Sequence, residues 1–281
     1  MNLWIEEKLE DTYGMRFRVT EVLFSGKSQF QSVQVVRTAG HGVMLLNDGF
    51  IMLSERDEFV YHEMIAHVPL FVHPNPRRVL IIGGGDGGTA REVLRHPSVE
   101  ECTLVEIDRM VVEACCLHLP KTASCLDRVE VVIGDGVAYV AETDRNFDVV
   151  LVDSTDPIGP AQPLFGEAFY RSVHRVLAPD GIVVSQGETP WYQQPMQCKL
   201  SGILQAVFER NGVYNFSNLT YPGGLWSFTF ASKGLHPLAD LDEQRVRDSE
   251  MALDYYNEAV HKAAFALPTF QARALRGKTN L

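Results

Sequence analysis

Two patterns of hydrophobic and polar residues follow one another along the chain. Between residues 15 and 53, three segments have the composition of strands, and Asn47-Asp48-Gly49 between the last two is typical of a tight hairpin turn. From residue 78 onward, short apolar runs alternate with segments of helical periodicity. The chain therefore predicts an α/β protein in which a small antiparallel β-domain precedes a doubly wound parallel sheet.

The boundary between the two predicted parts lies near residue 56. A polar stretch ends the strand-like region, and residues 58–71 have helical periodicity, so we predict domains at residues 1–56 and 57–281. In the second domain the predicted strands are residues 79–83, 102–107, 129–133, 148–153 and 181–186. The predicted helices lie near residues 89–95, 110–118, 137–142 and 167–177. Residues 213–221 and 225–232 predict an antiparallel pair at one edge of the sheet, and residues 235–281 are partly helical.

Acidic residues follow the predicted parallel strands. They are Asp86, Glu106, Asp135, Asp153 and Asp156. Because the carboxyl ends of parallel strands meet at one edge of the sheet, we expect these carboxylates in a single crevice. Such a crevice favours a cationic ligand.

Composition and charge narrow the classes of function. The 281 residues are 46% hydrophobic and have a net charge of −11, which disfavours nucleic acid as a partner. The chain has no apolar run long enough to cross a bilayer and no signal-peptide pattern at its first residues, so we expect a cytoplasmic protein. The five cysteines are odd in number and form no CxxC pair, which argues against a disulfide framework and a zinc site.

A glycine-rich loop follows the first parallel strand. Gly83, Gly85 and Gly88 match GxGxxG, a pattern that lets a ligand approach the backbone closely. Asp86 stands inside this loop, where its charge would repel a phosphate, so an amine or sulfonium ligand fits better. The alternative for Asp86 is that it only caps the following helix.

Two further acids have the spacing of an adenosine site. Glu106 ends the second parallel strand 20 residues after Asp86, where a carboxylate can accept hydrogen bonds from both ribose hydroxyls. NAD enzymes and S-adenosyl enzymes share this feature. Asp135 and Gly136 lie where an adenine amino group could be held, or they form an ordinary Asp-Gly turn.

The segment Asp153-Ser-Thr-Asp156-Pro157 is the sharpest local signal. It places two carboxylates close together at a strand end, so that one can take a proton while the other anchors charge. An amine substrate with a pKa of roughly 10 arrives protonated and must lose a proton before it attacks carbon. Asp156 has an alternative role as the cap of the turn before Pro157.

Six motifs together resemble the polyamine aminopropyltransferase family, most closely the spermidine synthases. They are ERDEFVYHEMIAHVPL, VLIIGGGDGG, VEID, GDG, DSTDPIGPA and QGE, within a match from about Trp4 to Pro268. The resemblance implies a Rossmann-like sheet of the class I S-adenosylmethionine methyltransferase type after the N-terminal β-domain. It also implies that an aminopropyl group passes from decarboxylated S-adenosylmethionine to putrescine, giving spermidine and methylthioadenosine.

The resemblance implies roles at the donor end of the site. Gln31 and Glu106 would hold the ribose, and Asp135 and Gly136 the adenine. Pro160 would form a wall against the nucleoside. Asp86 would bind the donor's propylammonium group. The donor is a co-substrate, and neither a cofactor nor a metal is expected, because the sulfonium leaving group is already positively charged.

The resemblance also implies roles at the acceptor end. Asp153 would be the general base, and Asp156 or Glu188 would hold the distal ammonium. Tyr61 and Tyr221 would orient the diamine. Three further expectations concern this end. His62 lies beside the transferred group, and Gln186 and Glu188 bound the acceptor pocket. Trp4 either lines the same pocket or packs against the domain. Other family members have Gln at the position of His62.

Several alternatives stay open at the level of sequence. Agmatine or cadaverine could replace putrescine as acceptor. An S-adenosylmethionine-dependent N-methyltransferase shares the fold, but Asp86 would then face the donor's carboxylate. An NAD oxidoreductase shares the glycine loop and Glu106, and a catalytically silent polyamine-binding protein would be expected to lack Asp153. We further expect a homodimer or homotetramer, and a gate formed by residues 157–167.

Overall fold

A computed structural model describes residues 3–9 and 12–281 of the chain. The described residues of the N-terminal part form a five-stranded antiparallel sheet in the order β1-β2-β3-β4-β5. Its strands are β1 (Leu3–Leu9), β2 (Tyr13–Lys27), β3 (Ser32–Thr38), β4 (Gly42–Asn47) and β5 (Phe50–Ser54). The predicted hairpin turn joins β4 to β5, where Asp48 and Gly49 both have positive φ, as a primed turn requires. Strand β1 lies outside the predicted strands.

The second sheet contains the parallel core of the fold. Its strands are β6 (Arg78–Gly83), β7 (Glu101–Glu106), β8 (Glu130–Ile133), β9 (Phe147–Asp153), β10 (Leu177–Gln186), β11 (Arg210–Ser217) and β12 (Leu225–Ser232). Their order in the sheet is β11-β12-β10-β9-β6-β7-β8. Strands β6 to β10 are parallel, while β12 pairs antiparallel with both β10 and β11. The predicted parallel sheet and its antiparallel edge pair are both confirmed.

Helices cover both faces of this sheet. They are α1 (Glu58–Val72), α2 (Gly88–Val93), α3 (Arg109–His118), α4 (Gly136–Glu142), α5 (Glu167–Val176), α6 (Gln194–Val207), α7 (Glu243–Asp248), α8 (Glu258–Ala264) and α9 (Thr269–Ala274). The alternation of side chains along β6 separates two cores: Val79 and Ile81 belong to the core that includes α1 to α3, and Leu80 and Ile82 to the core that includes α5 and α6. Helix α6 lies outside the predicted helices.

Helix α1 connects the two sheets and is buried on nearly all sides. Every residue from Val60 to Val72 is buried, including Pro69 in its last turn. A helix surrounded by protein offers its charged side chains only other side chains as partners. The polar residues of α1 must therefore be paired inside the protein, and this pairing shapes the site described below.

The order of the strands reverses at β6, which pairs with β7 on one side and β9 on the other. Ligands of open α/β sheets bind at such a switch point, beyond the carboxyl ends of the strands. Gly83 and Gly84 turn there with positive φ, and a Cβ at Gly83 would overlap the Asp153 carbonyl oxygen. The Gly84 N–H donates to that oxygen at 2.9 Å. The glycine loop after β6 is therefore joined directly to the end of β9.

Two further predictions concern the cysteines and membrane-spanning segments. All five cysteines are unpaired, and Cys102, Cys115 and Cys125 are buried. Among the described residues, the structure contains no helix that is both long and apolar enough to cross a membrane.

Candidate active site

A cavity lies at the switch point, between the second sheet and the N-terminal sheet. The second sheet contributes the loops after β6, β7, β8 and β9, and the N-terminal sheet contributes residues from β1, β4 and β5 and the β2–β3 loop. Most of the sequence-predicted site residues line this cavity: Gln31, Tyr61, His62, Asp86, Glu106, Asp135, Gly136, Asp153, Asp156, Pro160, Gln186 and Tyr221. The prediction that the strand-end acids lie in one crevice is confirmed.

Asp153 stands at the centre of the cavity. Its Oδ2 accepts a hydrogen bond of 2.6 Å from the Thr89 hydroxyl, and the Tyr61 hydroxyl also contacts the carboxylate. Burial, and after it the charge of Asp86, raises the pKa of Asp153 to about 6. A carboxylate of this kind is ionised at neutral pH and is a better proton acceptor than an ordinary aspartate.

Asp86 is paired with a histidine. Its Oδ1 accepts a hydrogen bond of 2.8 Å from the Gly88 N–H at the start of α2 and lies 3.2 Å from the Nε2 of His62. Burial favours the neutral acid, but the charge and hydrogen bond of His62, together with the Gly88 N–H, outweigh it and lower the pKa of Asp86. The N-cap residue of α2 is Gly87, and Asp86 just before it accepts the first N–H of the helix while it forms the ion pair.

His62 lies between two carboxylates. Its Nδ1 contacts Oε2 of Glu58 and its Nε2 contacts Asp86. Burial by itself would lower the pKa of His62, but Asp86 and Glu58 together raise it to about 10. The ring packs directly against Gly88, where any Cβ would overlap it. Gly88 is thus needed for the histidine to reach Asp86.

The end of the cavity beyond Glu106 has the features of a nucleoside site. Glu106 accepts hydrogen bonds from the backbone N–H groups of Gly85 and Asp108, at 3.2 and 2.8 Å. Burial raises the pKa of Glu106 to about 7. Gln31 reaches this end from the N-terminal sheet and donates to Oδ2 of Asp108 at 3.1 Å. Asp108 therefore fixes the amide of Gln31 and also caps α3 through the Met110 N–H.

Asp135 and Gly136 form the neighbouring wall. The Asp135 carboxylate accepts a 2.8 Å hydrogen bond from the Val137 N–H and caps α4. A Cβ at Gly136 would overlap Ile82, so glycine is required for the loop to pack against β6. The capping bond uses one carboxylate oxygen and leaves the second free for a ligand.

Acidic groups also collect at the opposite end of the cavity. Oδ1 of Asp156 accepts a 3.0 Å hydrogen bond from the Gln186 amide, and burial raises the pKa of Asp156 to about 6. Glu188 lies behind Gln186, 1% exposed, and accepts a 3.4 Å hydrogen bond from the same amide. Burial, and next the charge of Asp156, raises the pKa of Glu188 to about 8. Glu188 therefore supports the pocket wall rather than forming it.

Glu7 is a cavity residue that sequence reasoning missed. It comes from β1, is 8% exposed, and accepts a 2.7 Å hydrogen bond from the Ile51 N–H. Burial raises the pKa of Glu7 to about 7, and the charge of Asp156 also acts to raise it. The N-terminal sheet thus adds a carboxylate to the acidic end of the cavity.

Trp4 lies outside the cavity, on the opposite face of β1. It is 41% exposed, and the Arg16 guanidinium lies 5.4 Å from the centre of its ring. The expectation that Trp4 lines the acceptor pocket is corrected by this placement. Successive side chains of a strand alternate between faces, so Trp4 and Glu7, three positions apart, must point in opposite directions.

The two predicted tyrosines meet in the middle of the cavity. The rings of Tyr61 and Tyr221 lie edge to face, with centroids 6.0 Å apart. The Tyr221 hydroxyl donates to the Met52 carbonyl at 2.6 Å. Asp57 holds the loop that carries Tyr221, because its carboxylate accepts from the N–H groups of Leu219 and Thr220, each at 2.9 Å.

The predicted gate begins at the rim of the cavity. It contains a 3₁₀ helix, Gly159–Phe165, whose residues Pro160, Ala161 and Leu164 line the cavity. Ile158 at its start is 56% exposed. An apolar rim of this kind could cover a bound ligand, and closure of the segment stays a prediction.

The centre of the cavity can receive a cation. One oxygen each from Asp86 and Asp153 and a nitrogen of His62 lie within 4.8 Å of one another. Both nitrogens of His62 face carboxylates, so the ring offers no free lone pair. We therefore describe this cluster as an ion-paired group whose remaining carboxylate oxygens can bind an ammonium and accept a proton.

Comparisons with known proteins agree over nearly the whole chain. Residues 58–243 match the family model described as the spermine/spermidine synthase domain, and residues 3–55 match the spermidine synthase tetramerisation domain. A polyamine aminopropyltransferase of Bacillus cytotoxicus is 46% identical over 272 residues, which are 96% of this chain and 98% of that protein.

Solved structures give the same result. A spermidine synthase in complex with the transition state analogue AdoDATO is 44% identical, with a TM-score of 0.96, and the match covers 98% of this chain and 95% of that one. The spermidine synthase of Thermotoga maritima is 43% identical, with a TM-score of 0.94, and the match covers 98% and 94% of the two chains.

Proposed function

Because the chain belongs to the spermine/spermidine synthase family, we propose that it transfers the aminopropyl group of decarboxylated S-adenosylmethionine to putrescine, giving spermidine and methylthioadenosine. The resemblance inferred from the motifs and the assignment as an aminopropyltransferase are confirmed by the family match. The observation that carries the finer proposal is the single cavity that joins a nucleoside end to an acidic end through Asp86 and Asp153.

The donor fits the first half of this cavity. Glu106 and Gln31 would bind the ribose, and Asp135 the adenine amino group. The aminopropyl arm would extend toward Asp86, whose ionised carboxylate attracts a terminal ammonium. A related spermidine synthase forms a complex with the transition state analogue AdoDATO, which supports a cavity of this kind as the site of the reaction.

The reaction is a displacement at carbon. The Asp153 carboxylate takes a proton from the attacking ammonium of the acceptor, and the freed nitrogen lone pair forms a bond to the methylene carbon next to sulfur. The carbon–sulfur bond breaks, its electron pair stays on sulfur, and the cationic sulfonium leaves as a neutral thioether. The reaction needs no metal, because the leaving sulfur loses its positive charge and develops no negative charge that a metal ion would stabilise.

The acceptor fits the second half. Tyr61 and Tyr221 offer ring surface to a methylene chain, and the carboxylates of Asp156 and Glu7 attract a distal ammonium. A short diamine with one cation at each end matches this order of groups. Agmatine and cadaverine differ from putrescine in their end group or length, and they remain the alternatives. An N-methyltransferase would place the carboxylate of S-adenosylmethionine against Asp86, which is electrostatically unfavourable.

Mass spectrometry of products tests the proposal. The purified protein is incubated with decarboxylated S-adenosylmethionine and equal amounts of putrescine, cadaverine, agmatine and spermidine. We expect spermidine and methylthioadenosine as the main products. A different aminopropylated amine would keep the mechanism and change the acceptor, whereas methylated amines formed from ordinary S-adenosylmethionine would favour the methyltransferase.

The pH dependence follows from the raised pKa of Asp153. Below its pKa of about 6 the carboxyl is protonated and cannot accept the acceptor's proton, so kcat/KM should fall as the pH is lowered through 6. Initial rates between pH 5 and pH 9 measure this fall, the acid limb of the pH profile. Asp156 also titrates near 6, so Asp156→Asn is the control: the limb should persist in it. A limb lying near pH 4 would contradict the raised pKa.

The assembly is proposed to be a homodimer or homotetramer. The match of residues 3–55 to a tetramerisation domain supports an oligomer. Strands β1 and β2 also expose large apolar side chains, among them Leu3, Tyr13 and Val22.

A further inference from the structure

Glu58 is held rigidly at the edge of the candidate site. Its two oxygens accept hydrogen bonds from Nη1 and Nη2 of Arg91, both at 2.9 Å. The Nε of Arg91 in turn donates to Oε1 of Glu92 at 2.8 Å. Such a two-point contact fixes the plane of a carboxylate as well as its charge. The contact joins α1 to α2, and Glu58 cannot rotate away from His62 without breaking it.

His62 is fixed by its neighbours in the same way. The ring is 2% exposed, contacts Glu58 at Nδ1 and Asp86 at Nε2, and lies against Gly88. A neutral imidazole has one N–H and one lone pair, and a lone pair facing a carboxylate is repulsive. Both nitrogens therefore need a proton, and the ring is an imidazolium. Glu58 lowers the cost of burying this charge. Burial favours the neutral acid of Glu58, but His62 and Arg91 together lower its pKa to about 2.

This fixed charge distinguishes the two carboxylates that the reaction uses. Oxygens of Asp86 and Asp153 lie within 4.8 Å of each other, a distance at which two like charges oppose joint ionisation. The imidazolium contacts Asp86 directly, whereas Asp153 contacts the neutral hydroxyls of Thr89 and Tyr61. The pKa of Asp86 is lowered and that of Asp153 is raised.

We propose that Glu58 and Arg91 are positioning residues for this reaction: they hold His62 as an imidazolium on Asp86, which reserves Asp86 for binding the donor's ammonium and leaves Asp153 as the proton acceptor. The functional part rests on the proposed aminopropyl transfer. The charge state of His62 does not, and it can be measured separately. Neither Glu58 nor Arg91 lines the cavity, so each acts through His62.

Ionisable groups from every neighbouring element face this cluster. Helix α1 contributes Glu58 and Tyr61, α2 contributes Arg91 and Glu92, the loops after β6 and β9 contribute Asp86 and Asp153, and the loop after β11 contributes Tyr221. Glu106 at the end of β7 interacts with Asp153, and Cys115 of α3 interacts with Asp86. The charged partners of His62 itself are the two carboxylates. Removal of one of them should therefore change its protonation most.

Histidine NMR on the full-length protein tests the charge state. In ¹⁵N-histidine-labelled protein, His62 is assigned by comparison with His62→Gln. We expect both of its ring nitrogens to be protonated at pH 8. In Glu58→Gln, which keeps the size of the side chain and removes its charge, the pKa of His62 should fall by about one unit or more. A neutral His62 in the wild type at pH 8 would overturn the proposal, and so would an unchanged titration in Glu58→Gln.

Kinetics test the positioning role. In Glu58→Gln the imidazolium is still charged near pH 6 but is no longer held in place on Asp86. The two carboxylates then compete for a proton, so the acid limb of kcat/KM should move to higher pH by about one unit. The KM for the donor should rise at neutral pH, and activity should recover toward alkaline pH. Arg91→Lys, which keeps the charge and loses the fork, should be intermediate between the wild type and Arg91→Gln.

The control separates this effect from loss of packing. Arg145 similarly contacts two carboxylates, Glu130 at 2.6 Å and Glu101 at 3.0 Å, at the opposite edge of the sheet. Glu130→Gln should leave both the His62 titration and the pH profile unchanged. An equal loss of activity at every pH in Glu58→Gln would show a purely structural role and overturn the positioning claim. If neither the wild type nor any variant transfers aminopropyl groups but His62 titrates as expected, the proposed function fails and the charge assignment of His62 stands.

Discussion

Asp153→Asn should lower kcat by a factor of about 10² to 10⁴, the usual contribution of a positioned general base. Asparagine is nearly isosteric and can still accept the hydrogen bond that Thr89 gives to Oδ2. The asparagine cannot take a proton from the acceptor. The acceptor nitrogen therefore stays protonated, has no free lone pair and does not attack. Single-turnover rates with saturating donor and putrescine measure the loss at the chemical step.

Asp148→Asn is the matched control for Asp153→Asn. Asp148 lies on the same strand, β9, but near its other end, where its carboxylate accepts hydrogen bonds from the N–H groups of Arg77 and Arg78, each at 2.8 Å. This variant should keep its turnover even if it loses some stability. Donor affinity should change little in Asp153→Asn, because Asp86 and Glu106 remain. Unchanged turnover in Asp153→Asn would refute the base assignment.

The acids of the site could be found from sequence because their positions follow from general rules of the fold. Each stands at the last residue of an apolar strand or in the loop that follows it, and parallel strands end at the same edge of a sheet. Gly83 and Gly88 were equally informative. The first turns with positive φ against Asp153, and the second makes room for His62. In these cases local sequence and global fold impose the same constraint.

The side chains that control those acids could not be found in the same way. Arg91 and Glu58 are 33 residues apart in sequence, and they meet only because α1 packs against α2. Thr89 contacts Asp153 across 64 residues for a similar reason. No spacing in the chain indicates such pairs. They depend on the angle and depth at which two helices pack, which the pattern of apolar residues does not determine.

Strand β1 is a different case, because a signal was present. Ile5, Glu7 and Leu9 alternate with Trp4 and Glu6, which is the period of a strand with one inward face. The family resemblance suggested that Trp4 either lines the pocket or packs against the domain, but the face that contains Ile5 is the buried one. Glu7 is carried inward with it and is stabilised there by the Ile51 N–H. The periodicity of β1 alone would have placed Trp4 outside the cavity and Glu7 inside it.

Asp86→Asn should reduce kcat/KM for decarboxylated S-adenosylmethionine by about tenfold to a hundredfold, which corresponds to the loss of one charge-assisted hydrogen bond. The asparagine oxygen can still accept the Gly88 N–H, so the loop should keep its form. The variant loses the attraction between the Asp86 carboxylate and the donor's ammonium, which contributes to the binding free energy of the donor. It should appear mainly as weaker donor binding, measured by calorimetry, with little change in the KM for putrescine.

The same variant tests how the site selects the decarboxylated donor. In the wild type, the carboxylate of ordinary S-adenosylmethionine would approach Asp86 and be repelled, while the ammonium of the decarboxylated form is attracted. Asparagine removes both effects, so the ratio of the two dissociation constants should fall toward one. Asp148→Asn should keep the wild-type ratio. If Asp86→Asn keeps it too, selection lies elsewhere in the cavity. If the ratio collapses, one carboxylate, kept ionised by the histidine beside it, separates aminopropyl transfer from methyl transfer on a fold that supports both.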